Sequence, residues 1–130
     1  MKKLFSGRRL PVALRLTLLG GWLAAAGCEW NDRDDFDHTP PAGQGAVVVD
    51  NRTFTDIEVF LNGARVGRVG DYDWRAFDRA PGVCRLVLNE DDGRRYYSDD
   101  VDIIANRRTI VEVDTADGSS TRYDVRIRLD

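Results

Sequence analysis

From Ala46 to the end of the chain, apolar and polar residues alternate, and this period of two constrains the fold more than any other feature. The final stretch is the clearest case, because Tyr123, Val125, Ile127 and Leu129 are separated by charged residues. Such alternation is typical of a β-strand with one buried face. No stretch keeps the 3.6-residue period of an amphipathic helix, so we predict an all-β fold.

Turn signals recur about every eight to twelve residues and divide this region into strands. The strongest signal is Asn62-Gly63, because both residues tolerate the positive φ of a type I′ hairpin turn. Further turns are predicted at 80–82, 91–93 and 105–107. The simplest arrangement is a small antiparallel β-sandwich of seven or eight strands over residues 45–130.

The alternation also predicts the core and the pairing of the last hairpin. The predicted inward-facing set is Cys84, Leu86, Leu88, Val125, Ile127 and Leu129. We expect residues 109–114 to pair antiparallel with 121–129, with opposed residue numbers summing to about 236. That register places Asp114 opposite Arg122 and Glu112 diagonal to both Arg122 and Arg126.

Charge and composition exclude several function classes. Of the 19 basic residues, five precede Gly27, so the rest of the chain has 14 basic against 22 acidic residues, a net charge of −8. A domain this acidic is repelled by phosphate backbones, so we expect no nucleic-acid partner. The single histidine, His38, precedes the β-rich region, and both lysines precede Gly27. We therefore expect neither catalysis nor a cofactor.

The amino terminus has the features of an export signal. A basic stretch is followed by the short apolar run 16–26. The run ends in Ala25-Ala26 and is followed by Gly27-Cys28. The run is too short to span a bilayer as a helix. The small residues before the cysteine resemble a bacterial lipobox, although Ala25 stands where leucine is commonest. The resemblance implies that residues 1–27 are a signal peptide and that Cys28 becomes the lipidated amino terminus.

This resemblance also implies a location. Two or three acyl chains hold a protein durably on a membrane. In lipoproteins of this kind an aspartate after the cysteine favours inner-membrane retention, and Glu29 stands there instead. We expect a periplasm-facing protein on the outer membrane. Two alternatives remain, an ordinary secretory signal in which Cys28 is incidental and twin-arginine export through Arg8-Arg9.

Residues 28–44 are predicted to form a flexible linker after the anchor. Their acidic residues and the Pro40-Pro41 pair describe a segment with too little apolar surface to order itself. The alternative is a calcium loop, which would use the carboxylates of Asp32, Asp34, Asp35 and Asp37. The spacing of an EF-hand loop is absent, so we expect no metal.

The β-rich region resembles a known group of modules. The similarity lies in a hairpin, Val59-Phe60-Leu61-Asn62-Gly63 followed by Val66-Gly67, in Pro81-Gly82 before a strand, and in Gly93 before Tyr96-Tyr97. In these features the region is similar to PEGA-like extracytoplasmic β-sandwich modules. The match covers about residues 46–114, without the Pro-Glu-Gly-Ala signature itself. It implies a tethered, non-catalytic module of the cell envelope.

Three groups of residues are candidate contact sites. Tyr72, Trp74 and Tyr96 are either packing residues or a stacking platform for sugar rings. The arginines on the outer face of the last strand form either a charge-matched surface or a docking patch for acidic head groups or an acidic partner: Arg122, Arg126 and Arg128. Cys84 is expected to be a core thiol, and the alternative is an intermolecular disulfide.

We therefore predict a membrane-anchored lipoprotein whose β-sandwich binds or scaffolds an envelope protein. The alternative function is contact with carbohydrate or peptidoglycan. The exposure of Trp74 separates the two hypotheses, because a ring lying flat beside Tyr72 or Tyr96 would favour glycan and a packed ring would favour the protein-binding role.

Overall fold

The computed structural model describes residues 36–130, which form two packed β-sheets. The strands are β1 (Gly45–Asn51), β2 (Ile57–Leu61), β3 (Ala64–Val69), β4 (Trp74–Arg79), β5 (Gly82–Glu90), β6 (Tyr96–Ile103), β7 (Arg108–Thr115) and β8 (Tyr123–Leu129). Sheet A has the order β4-β1-β7-β8, and sheet B has the order β3-β2-β5-β6. The prediction of an all-β sandwich is confirmed, with eight strands.

The hairpin between β2 and β3 turns where the sequence predicts it. Asn62 and Gly63 have φ values of 50° and 83°, as a type I′ turn requires at both central positions, and both are exposed. On its other side β2 pairs antiparallel with β5, which places Leu61 opposite Leu86. This local signal therefore positions the centre of sheet B.

One strand pair differs from the expected antiparallel arrangement. β1 and β7 are neighbours in sheet A and run parallel, with Val48 opposite Ile110. All seven residues of β1 are buried, which is typical of a strand covered on both faces. The chain between β1 and β7 builds the whole of sheet B and also β4 of sheet A. When it returns as β7, it runs in the same direction as β1.

The side chains between the sheets form the main core, which we call the inner cluster. Cys84, Leu86 and Leu88 are all buried within it, as the alternation predicts. Its other members come from both sheets: Val47, Val49, Ile57, Val59, Leu61, Val69, Phe77, Val101, Ile103, Val111, Val113 and Tyr123. The two sheets thus share one continuous core.

The end of β8 departs from the predicted core. Tyr123 is buried and Val125 is half-buried, but Ile127 and Leu129 are 40% and 45% exposed. These last two side chains share the inward face of β8 with Tyr123, but they are not buried, so the prediction that they belong to the core is wrong. β8 is an edge strand, and sheet B meets it near its start, where Tyr96 bridges to Arg122, the residue before β8. The inward face of its second half is therefore left partly exposed.

A second apolar cluster lies on the outer face of sheet A, and we call it the outer cluster. Phe36 is only 3% exposed and packs on Val48 and Ile110. Its ring meets that of Trp74 edge to face, with centroids 5.2 Å apart and an interplanar angle of 69°. Ala76 completes the cluster.

Polar contacts hold the same segment in place. His38 Nε2 lies 2.7 Å from Asp78 Oδ1, and the Arg108 guanidinium donates to the backbone oxygens of Phe36 and His38. The sequence predicts a flexible linker as far as Gln44, but the compact unit begins at Phe36. The reason is that Phe36 covers apolar side chains on the outer face of sheet A.

Candidate binding surface at the loop end

Four connections meet at one end of the sandwich, which we call the loop end. They are residues 52–56 after β1, 70–73 after β3, 91–95 after β5 and 116–122 after β7. These four strands all point the same way, because β7 is parallel to β1 and the other pairings are antiparallel. A surface built from loops on a rigid scaffold is a common location for binding sites.

Asn51 organises two of these loops from within. Its side chain is fully buried, and Nδ2 donates to the carbonyl oxygens of Thr55 at 2.8 Å and Gly70 at 2.9 Å. Its Oδ1 accepts from the backbone N–H of Thr53 at 2.9 Å and from the Thr53 hydroxyl at 2.7 Å. A satisfied buried polar network rigidifies its surroundings, so loops 52–56 and 70–73 are pre-organised.

The other two loops are also tied together. Arg95 Nη1 lies 3.0 Å from Glu90 Oε2, and Arg95 Nη2 donates to the backbone oxygen of Ser119 at 3.4 Å. The backbone N–H of Tyr96 donates to the oxygen of Thr121 at 3.1 Å. The whole loop end is thus held by contacts between sheets A and B.

The first two loops present an exposed aromatic pair, Phe54 and Tyr72. Their exposed fractions are 66% and 56%. The backbone N–H of Tyr72 donates to the oxygen of Thr53 at 3.0 Å, which joins the two loops beside these rings. Tyr72 has a φ of 51°, a left-handed conformation that costs a non-glycine residue about 1 to 3 kcal/mol and tends to occur at functional sites.

The structure separates the three predicted aromatic contacts. Tyr72 and Tyr96 are both at the loop end and more than half exposed, but Tyr96 lies with loop 116–122. Trp74 is half-buried on the outer face of sheet A, where it packs against Phe36. Phe54 was missed by the sequence analysis, although an isolated aromatic residue within a polar turn segment is a usable signal.

The predicted register of the last hairpin is wrong by two residues. β8 pairs with β7 so that Asp114 faces Asp124 and Glu112 faces Arg126. Arg122 precedes β8 and is exposed. A shift of two keeps each side chain on its own face of the sheet, so the charged residues still lie outward.

Charge matching on this face is centred on Glu112. Its carboxylate oxygens lie 3.7 Å from Arg126 Nε, 3.4 Å from Arg128 Nε and 3.4 Å from Arg52 Nη2. Arg52 also donates to Asp50 at 2.8 Å, and this hydrogen bond raises the pKa of its guanidinium. Two of the three predicted arginines therefore contact an internal carboxylate.

Cys84 is the one cysteine of residues 36–130, and it is buried. Burial raises the pKa of the Cys84 thiol, which disfavours the reactive thiolate. Among residues 36–130, no group of three or more histidine, cysteine, aspartate or glutamate side chains is placed to hold a metal ion. In the same part of the chain, no helix is long and apolar enough to cross a bilayer. Cys28, the predicted lipidation site, lies outside the described residues.

Comparison with known proteins supports the fold. No protein-family model matches the sequence, and no curated protein matches it. Among solved structures, the N-terminal domain of AlgF from P. aeruginosa is similar, with a TM-score of 0.50 at 14% identity. The match covers 69% of this chain and 96% of that domain. At this identity the likeness shows a shared β-fold alone.

Proposed function

We propose that this protein is a lipid-anchored, non-catalytic module of the bacterial cell envelope that binds an envelope protein through its loop end. The observation that carries the proposal is the aromatic pair of Phe54 and Tyr72, exposed on loops that buried Asn51 holds rigid. Exposed aromatic side chains on a pre-organised surface lose little conformational entropy on binding. They are therefore well suited to serve as anchors of a protein interface.

The anchoring half of the proposal rests on Cys28 and the small residues before it. Lipidation there would tether the domain by the chain between Cys28 and Phe36, which spans at most about 28 Å when fully extended. We place the protein on the outer membrane, facing the periplasm, on the basis of Glu29. The similarity to the N-terminal domain of AlgF supports the β-fold of the module.

The aromatic pair can be tested by crosslinking in membranes that carry the full chain. A photoreactive amino acid at position 54 should crosslink to an envelope protein, and the Tyr72→Gly substitution should reduce this product roughly tenfold, since anchors carry most of an interface's energy. Glycine accepts the positive φ of Tyr72, so the variant removes the ring and keeps the loop conformation.

The matched control uses Val83, which is 68% exposed at the opposite end of the sandwich. A photoreactive group at position 83 should not give the same product, and Val83→Ser should leave the product from position 54 unchanged. Equal products from positions 54 and 83, or a product that persists in Tyr72→Gly, would contradict a loop-end interface.

Anchoring is tested separately by Cys28→Ser. We expect this variant to accumulate unprocessed or to leave the membrane fraction, because a serine cannot form the thioether. Unchanged membrane attachment together with unchanged electrophoretic mobility would exclude the lipoprotein assignment and leave the loop-end test intact.

The glycan alternative loses part of its support. Its platform requires Trp74 beside Tyr72 or Tyr96, whereas the Trp74 ring packs edge to face on Phe36. Binding of the chain to purified peptidoglycan, abolished by Tyr96→Ser and unaffected by Tyr72→Gly, would favour this alternative over the proposal.

A further inference from the structure

β8 leaves an unusual edge on sheet A. It is one of the two edge strands of this sheet, and its Ile127 and Leu129 are 40% and 45% exposed. With Ile104, which is 41% exposed, they line a groove of about 380 Å³ between the ends of β6 and β8. Edge strands with exposed apolar side chains are templates for pairing with another chain.

The hydrogen bonds to β7 define which backbone groups of β8 point to this edge. Asp130 and Arg108 exchange both of their backbone hydrogen bonds, at 2.9 and 3.3 Å. Because backbone direction alternates along a strand, the even-numbered residues of β8 point to β7. Val125 and Ile127 therefore direct their N–H and C=O groups outward. At the start of β8 the edge is closed by Tyr96.

We propose that this edge is a homodimer interface, in which the β8 strands of two copies pair antiparallel through residues 124–128, with Arg126 on the two-fold axis. Val125 of one copy and Ile127 of the other exchange backbone hydrogen bonds, and the two-fold repeats the exchange. Sheet A becomes one continuous eight-stranded sheet across the dimer, built from the four strands of each copy.

The side-chain pattern of β8 is complementary to itself in this register. Asp124 of each copy faces Arg128 of the other, so the outer face carries two opposite-charge pairs. On the inner face Val125 faces Ile127 twice, which covers part of the apolar surface that one copy leaves exposed. The two Arg126 side chains meet at the axis, and each lies 3.7 Å from the Glu112 carboxylate of its own copy.

Neighbouring registers lack this complementarity. A two-fold at Ile127 would place Arg126 against Arg128 and Asp124 against Asp130. A two-fold at Val125 would place Arg122 against Arg128. Any register in which the numbers of opposed residues add to an odd sum would oppose apolar to charged side chains, because a one-residue slip changes the face. Among the registers centred on residues 125 to 127, charge and face together therefore favour the two-fold at Arg126.

The symmetry also fits a protein held on one membrane. Antiparallel pairing of identical strands has its two-fold axis perpendicular to the sheet, so both copies keep the same face of sheet A on one side. Phe36, where the compact unit begins, lies on that face. Residue 36 of both copies thus lies on the same side of the dimer. This last point alone rests on the anchoring proposed above.

Cysteine crosslinking in membranes that carry the full chain tests the register directly. Directly opposed residues of a non-hydrogen-bonded antiparallel pair have Cα atoms about 4.5 Å apart, within reach of a disulfide. Under mild oxidation we expect Arg126→Cys to give a covalent dimer, roughly tenfold above Arg75→Cys. Arg75 is an exposed position on β4, at the other edge of sheet A. The unsubstituted chain sets the background from Cys28 and Cys84.

Two further comparisons complete the test. Asp124→Cys and Arg128→Cys, each made alone, should stay at the level of the control, because neither residue lies opposite the same residue of the other copy. Adding Ile127→Pro should reduce the Arg126→Cys dimer to that level, since it removes an outward N–H and spares the bonds to β7. If Ile127→Pro does not fold, as judged by circular dichroism, Ile127→Lys serves the same purpose by placing a charge against Val125.

Three results would overturn the proposal. The first is an Arg126→Cys dimer no more abundant than that of Arg75→Cys. The second is a dimer that persists in folded Ile127→Pro or Ile127→Lys. The third is a mixed disulfide between Arg126→Cys and a different protein, which would show that a foreign strand occupies the edge. Tyr72→Gly should leave the dimer unchanged, so failure here is distinct from failure of the loop-end interface.

Discussion

The inner and outer clusters bury apolar side chains in different ways. The inner cluster lies between two sheets and draws on strands of both layers, so its side chains are enclosed on all sides. The outer cluster has one sheet face beneath it and the segment around Phe36 above it. The first therefore depends on the whole fold, whereas the second depends on a short segment that can detach while the sandwich persists.

Leu86→Ala should have the largest effect. Leu86 is fully buried in the inner cluster, and removing its side chain leaves a cavity that costs about 2 to 5 kcal/mol of unfolding free energy. The adjacent Val87 is half-buried on the other face of β5. Urea unfolding should show a much smaller loss for Val87→Ala, and equal losses for the two variants would contradict the assigned faces.

Phe36→Ala should have a smaller and more local effect. We expect a cost of about 1 to 2 kcal/mol in the free energy with which residues 36–44 dock on sheet A, because the ring is covered from one side and the segment can detach without unfolding the sheets. Limited proteolysis should then cleave within residues 36–44, while the urea midpoint of the sandwich changes little. Asp37→Ala, at an exposed neighbouring position, is the control. A cooperative loss as large as that of Leu86→Ala would place Phe36 in the global core.

These two clusters also show what the sequence predicts well and what it does not. The period of two and Asn62-Gly63 are local signals, and they correctly place the strands and the inward face of β5. The packing of Phe36 depends on the neighbouring Val48 and Ile110 of separate strands, which no local pattern of residues 28–44 reveals. Likewise, exposure of Ile127 depends on where sheet B ends.

The candidate site was predictable in the same partial way. Tyr72 and Tyr96 stand out as aromatic residues beside turns, but their common location at the loop end follows from the parallel pairing of β1 with β7. Alternation alone carries no information about strand direction. The register of the last hairpin was wrong for a related reason, since its loop length and not its strand pattern determines the offset.

Alkaline pH should destabilise the edge of the inner cluster through Tyr97. Burial, with a smaller contribution from the hydrogen bond to Asp99, raises the pKa of Tyr97 to about 12 from an ordinary value of 10.0. The unfolded chain therefore loses this proton at a lower pH than the folded chain does. The resulting stability is complete below about pH 10 and is lost as the pH rises through about 12.

The measurement is the urea midpoint as a function of pH. In Tyr97→Phe the midpoint should fall less steeply between about pH 10 and 12 than in the parent chain, because the shifted group is gone. An identical decline in the two proteins would show that Tyr97 does not contribute to it.

The smallest effect, and one of opposite sign, is expected for Tyr123→Phe. Tyr123 is 7% exposed in the inner cluster, and within residues 36–130 its buried hydroxyl has no hydrogen-bond partner. Burial also raises the pKa of this group, because a buried phenolate loses its hydration. The outer cluster differs, because His38 and Arg108 have partners at its border. Removing an unpaired buried hydroxyl should therefore stabilise the domain by about 0.5 to 1 kcal/mol.

Comparison with Tyr123→Leu separates the effect of the hydroxyl from that of the ring. Tyr123→Leu removes both groups, and the loss of ring packing should lower the free energy of unfolding by about 1 to 3 kcal/mol. Urea midpoints should accordingly rank Tyr123→Phe above the parent and Tyr123→Leu below it. If Tyr123→Phe instead loses stability, the hydroxyl makes a favourable contact, and the inner cluster is as fully satisfied at the start of β8 as the outer cluster is around Phe36.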